Sequence, residues 1–234
     1  MNKQPSSTNR IWELDALRGI AIILMATFHL VFDLAFFFGL PIDYLHGFWY
    51  YEGLSSALLF MLVSGASSTL SRRPARRGLI VFGWGMALTI GTYLMDPSLY
   101  IRFGILQFLG AAMVLAMLVR KWRLSLLIPF SLAVIAVGVY LRTIRTTVPW
   151  LFPLGLITTS FDSLDYYPIF PYFGVYTLGI ALGRLLYAKR RSLFFWQPAF
   201  QVLEVMGQHS LTIYLLHQPA ILALLYSARA LNLI

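Results

Sequence analysis

The sequence predicts an all-α, polytopic integral membrane protein, a helix bundle of about seven transmembrane helices with a cytoplasmic N-terminus. Hydrophobic residues make up 59% of the 234 positions, against roughly 45–50% in a soluble domain. Charged residues fall to 12%, about half the usual share. Those charges also sit on the two sides of the apolar stretches unequally, as topology signals do.

The apolar stretches follow one another closely, each near the roughly 17–25 residues a span requires. In order they cover residues 16–38, 48–70, 78–95, 104–119, 124–141, 168–187 and 207–226. The fourth is short and suits a tilted or partial crossing. The stretch 193–205 is aromatic-rich and suits the membrane interface. Residues 1–14 form a polar cytoplasmic segment. The first apolar stretch exceeds a signal-peptide core and has no clear cleavage site, so it is expected to be retained. A single membrane-embedded domain over 1–234 is expected, multi-pass in the cytoplasmic membrane.

Orientation follows from lysine and arginine. With the N-terminus inside, 14 of the 18 basic residues fall on the inner side, among them Arg18, Arg72, Arg73, Arg76 and Arg77. Arg102, Arg142, Arg145 and Arg229 fall outside. A net charge of +9 would suggest nucleic acid in a soluble chain. Distributed in clusters between apolar spans it suggests membrane lipids as partners instead, and no nucleic acid. The absence of cysteine excludes disulfides and thiolate chemistry, and no histidine spacing matches a zinc motif. No metal is expected. Apolar surfaces facing lipid and partner look alike in sequence, so an oligomer is allowed.

An ionisable side chain inside a span costs roughly 2.5–3.5 kcal/mol on insertion scales and marks a functional site by default. The first span holds Arg18, His29 and Asp33. Arg18 and His29 stand eleven residues apart, about three helical turns and roughly 16 Å, on nearly one face. Asp33 follows His29 by four and shares its face. A carboxylate beside a histidine can hold one tautomer and make a better base, and an arginine at the inner mouth can bind phosphate or carboxylate. The plainer alternatives are a positive-inside anchor and a packing hydrogen bond.

His46 lies in the outer connection before the second span, and Glu52 about a turn and a half into that helix. Gln107, His217 and Gln218 add polar groups to the fourth and last spans, where bonds between helices also explain them. The connection 142–167 carries Asp162, Asp165 and Trp150 and is too aromatic for a simple linker; it can fold over an outer opening. The arginines of 71–78 suit anionic lipid or a nucleotide-like group, or topology alone. Ser64–Ser68, and Gly179 with Gly183, carry small-residue spacing that close helix packing explains.

The stretch Glu13-Leu-Asp-Ala-Leu-Arg18-Gly-Ile, then Met25 and His29, resembles the opening of transmembrane acyltransferases, whose mark is an arginine and a histidine separated by ten residues. Val63–Ser67, Gly104–Gly110, Asp165–Pro171 and Gly207–Ser210 through Tyr214, His217 and Pro219 resemble the catalytic domain of heparan-α-glucosaminide N-acetyltransferase and its short bacterial relatives. The resemblance implies acyl transfer, commonly acetyl from acetyl-CoA on the cytoplasmic side, to a hydroxyl or amine of a sugar or glycolipid-like acceptor outside. It implies a histidine after the first span as the reacting group, a place His46 occupies, so His29 and His46 both stand as candidates with Asp33. Arg18, Arg72, Arg73, Arg76 and Arg77 are then candidates for the coenzyme, and Glu52, Gln107, Asp165 and His217 for the acceptor. A proton-coupled transporter with His29 and Asp33 as relay, and a scaffold that presents helices to partners, are the competing readings.

Overall fold

The computed structural model describes residues 11–194 and 201–232. Every regular element among them is helical. The α-helices are α1 (Trp12–Phe36), α2 (Gly47–Ser68), α3 (Pro74–Met95), α4 (Ile105–Val119), α5 (Leu124–Leu141), α6 (Ile169–Leu186), α7 (Gln201–Gln208) and α8 (Ser210–Ala230), with a 3₁₀ turn at Pro149–Leu154. Five are long and apolar enough to cross a membrane: α1, α3, α5, α6 and α8. The chain is thus a membrane-embedded helical protein. α2 is equally long but carries Glu52 and five serines, and α4 has only 15 residues.

The expected last span, 207–226, corresponds to α8, with its first residues in α7 and the chain breaking at His209 between the two. Within the aromatic stretch 193–205, residues 201–205 are helical, and 195–200 lie outside the described residues.

The chain divides into two compact units, one comprising Met1–Phe60 with Lys189–Ile234 and the other Met61–Ala188. In the first unit, α1 begins with Glu13 and Asp15 in its first turn, where negative charge complements the exposed N–H groups. Its neighbour α7 approaches so closely that a Cβ at Gly19 would overlap the Leu203 carbonyl, and one at Gly207 the Asp15 carbonyl. α2 lies antiparallel to α1: Ser56 Oγ donates to the Ala21 carbonyl at 2.8 Å, and Gly53 backs onto the Phe28 ring.

In the second unit the small residues read from sequence form the helix contacts. Gly65 and Gly179 abut the Tyr176 and Leu62 carbonyls, and a Cβ at Gly183 would come within 2.7 Å of Ala66. α3 meets α4 in the same way at Gly78 and Gly110. Ser131 on α5 bonds Thr177 on α6 at 2.7 Å, both fully buried. Such close backbone approach is how apolar helices associate where lipid removes the hydrophobic drive.

The long connection 142–167 folds onto the first turn of α4. Tyr166 donates to the Phe152 carbonyl at 2.6 Å, Phe103 and Tyr166 pair as an isolated bridge, and Asp165 accepts the Ile105 N–H at 2.9 Å.

Candidate active site

A polar cluster within apolar spans lies in the first unit, where α8 packs along α1. It contains His29 and Asp33 from α1, with His217 and Gln218 from α8. The rings of His29 and His217 meet edge to face, centroids 4.6 Å apart. Gln218 donates its Nε2 to Asp33 Oδ1 at 2.6 Å, across 185 residues of sequence. Asp33 is fully buried.

This geometry revises the expected pairing of Asp33 with His29. The His29 ring is held through Nδ1, which lies 2.8 Å from the Met25 carbonyl one turn back. A carbonyl only accepts, so Nδ1 carries the hydrogen, and in the neutral ring Nε2 carries the lone pair. The orienting group that the sequence assigned to a carboxylate is therefore the backbone of α1 itself. Asp33 instead fixes α8 against α1. His217 repeats the arrangement, with Nδ1 2.5 Å from the Tyr214 carbonyl. Pro219 follows within α8 and removes the N–H that would bond the Leu215 carbonyl.

Several buried atoms of this region have no hydrogen-bond partner: Asp33 Oδ2, His217 Nε2, Gln218 Oε1 and both oxygens of Glu52. An unpaired buried polar atom costs about 1–3 kcal/mol, and a structural core rarely carries several. Glu52 precedes Gly53, which rests on Phe28, and the Phe28 ring meets that of His29 edge-on at 5.8 Å. Glu52 thus stands at the depth of His29 in the bundle.

Arg18 sits three turns below on α1, its Nη1 2.6 Å from Asp15 Oδ1. His46 is elsewhere. It lies in the exposed 37–46 connection, with its side chain 82% exposed and Nδ1 3.3 Å from Asp43. Asp43 Oδ1 also accepts the N–H groups of Leu45 and His46, a local turn that explains the residue without chemistry.

In the second unit, Arg72, Arg73, Arg76 and Arg77 are exposed around the start of α3, whose first helical residue is Pro74. Positive charge there opposes the helix dipole and is better placed when an anion is present. Gln107 is 1% exposed and fully engaged as a bracket: its Oε1 accepts the Gly104 N–H at 3.0 Å, and Nε2 donates to the Gly85 carbonyl at 3.0 Å and to Thr89 Oγ1 at 2.5 Å. Asp165 caps α4. Burial raises its pKa to about 6, with amide hydrogen bonds from Ile105 and Tyr166 opposing the shift.

The sequence pointed to His29, Asp33, Glu52 and His217 but joined only His29 with Asp33, and it passed over the bond between Gln218 and Asp33. The available signal was a glutamine next to a histidine and just before a proline inside an apolar span. No group of three or more metal-ligating side chains occurs among the described residues. No curated protein and no solved structure is significantly similar to the chain. Residues 10–219 match the model of the family described as heparan-alpha-glucosaminide N-acetyltransferase, catalytic, and the chain belongs to that family, with the membrane acetyltransferase-type function this implies.

Proposed function

We propose that this protein transfers an acyl group, in the first place acetyl, from acetyl-CoA on the cytoplasmic side of the membrane to a hydroxyl or amine of a sugar-like acceptor on the outer side. The observation that carries this reading is His29: a half-buried histidine within an apolar span, its tautomer fixed by the Met25 carbonyl, next to a second histidine. A hydroxyl is a weak nucleophile at neutral pH and needs a positioned base, worth about 10²–10⁴ in rate. His29 Nε2 is that base. His46, exposed and turned to Asp43, is not assigned the reaction.

Arg18 is the proposed contact for coenzyme phosphate in the first unit, held in place by Asp15. Arg72, Arg73, Arg76 and Arg77 are separate candidates for the same chemistry. Glu52 and His217 are proposed to face the reacting groups because they offer buried acceptor atoms. Gln107 and Asp165 have structural partners that account for them and are not assigned to substrate.

The test is acetyl-CoA binding to the purified protein in nanodiscs, wild type against Arg18→Ala, followed by transfer assays with His29→Ala. Saturable binding weakened by the first substitution, and transfer abolished by the second in a folded protein, support the proposal. Transfer that survives in His29→Ala overturns the role of His29. Unpaired carboxyl oxygens on apolar helices also suit a proton relay. Solute uptake driven by a proton gradient, with no acetyl-CoA binding, would replace the acetyltransferase by that transporter reading.

A further inference from the structure

We propose that His217 is a second base of this site, receiving from His29 the proton that the acceptor gives up and delivering it to the departing thiolate; the inference rests on the acetyltransferase reading above. Both rings have Nδ1 tied to a main-chain carbonyl of their own helix, His29 to Met25 and His217 to Tyr214. Both therefore present Nε2 as the lone-pair nitrogen. Two lone pairs cannot bond each other. A proton placed between them makes a charge-assisted N–H···N bond, and the rings stand edge to face with centroids 4.6 Å apart. The pair is thus built to hold one proton.

The surroundings fit that role. His217 Nε2 is buried with no partner, an arrangement that packing alone does not justify. Gln218, the next residue, is bonded to Asp33, which fixes His217 against α1 one turn from His29. Asp33 and Glu52, in the same unit, also carry carboxyl oxygens without a partner.

The step balances. The acceptor oxygen or nitrogen attacks the thioester carbonyl carbon as its proton passes to His29 Nε2. The carbon–sulfur bond breaks, and its electron pair leaves on sulfur. The proton moves from His29 Nε2 to His217 Nε2 and then to the thiolate, so both imidazoles end neutral and the coenzyme leaves as the thiol.

The experiment uses the full chain in nanodiscs with acetyl-CoA, following thiol release with glucosamine as amine acceptor and methyl β-glucoside as hydroxyl acceptor. His217→Gln is expected to lower kcat about 10²–10⁴-fold with the acetyl-CoA KM little changed, and imidazole in the buffer is expected to restore part of the turnover of His217→Ala. Wild-type turnover in His217→Gln overturns the proposal. So does a loss that imidazole does not relieve in a variant of wild-type melting temperature. If neither variant folds, the proton inventory of the wild type in mixed light and heavy water decides: a curved plot reports two protons in flight, and a linear one overturns the relay. A failure of the parent reading is seen separately, as a wild type that releases no thiol with either acceptor, and it removes the inference with it.

Discussion

Replacing Asp165 by asparagine, and separately by alanine, distinguishes a buried cap from a substrate ligand. The carboxylate accepts the Ile105 N–H at the first turn of α4, and burial raises its pKa from 3.8 to about 6. The folded protein therefore holds this proton more tightly than the unfolded chain. The resulting stability is full below about pH 4 and is lost as pH rises through about 6. Between those two values the difference corresponds to on the order of 3 kcal/mol. Asparagine removes the buried charge while its Oδ1 still accepts the Ile105 N–H; what it forfeits is the charge assistance, about 1 kcal/mol. Asp165→Asn should therefore melt at or a few degrees above wild type at pH 7.5, at about 2–4 °C per kcal/mol for a chain of this length. The advantage should shrink toward pH 4. Asp165→Ala leaves the amide without an acceptor and should melt below the asparagine variant at both pH values, by about 1–2 kcal/mol. The assay is tryptophan-fluorescence melting in one detergent across pH 4–8. An Asp165→Asn protein that melts with the alanine variant, well below wild type at pH 7.5, would refute the reasoning.

Two further outcomes follow from the geometry. His46→Ala should retain transfer within about threefold of wild type while His29→Ala loses it, measured as thiol release from acetyl-CoA; the exposed His46 touches Asp43 and none of the buried cluster. Gly179→Val should destabilise by about 1–3 kcal/mol or more, read as a lower melting temperature, because a Cβ there overlaps the Leu62 carbonyl; an unchanged melt would mean that α2 and α6 do not meet there.

The helices were legible because apolar length is itself the requirement for crossing a bilayer. α5 matches its expected bounds, and α2, α4 and α6 fall within two residues of theirs. Gly179 and Gly183 were legible as contact residues for the same physical reason, since backbone approach needs small side chains. The break at His209 was not, because its polar flank reads like a helix start within a longer apolar run. Chemistry was legible one helix at a time. An ionisable residue in a span announces itself by its cost, so His29 and Asp33 stood out. Which group would meet that cost was hidden: same-helix spacing offered Asp33 to His29, whereas the structure gives His29 a carbonyl and gives Asp33 a glutamine 185 residues away. The partner of Asp165 was hidden for the same reason, since Ile105 lies 60 residues back.

The pairing of Asp33 with Gln218 also sets an order of events during synthesis. α1 enters the membrane early, but the groups that meet its histidine and carboxylate follow about 185 residues later. At about 5–20 residues per second, the nascent chain waits roughly ten to forty seconds with Asp33 lacking its amide partner. Met61–Ala188, continuous in sequence, can be complete before that wait ends. The His29 cluster is therefore among the last features to form, and a chain halted before α8 carries a finished second unit and no assembled site.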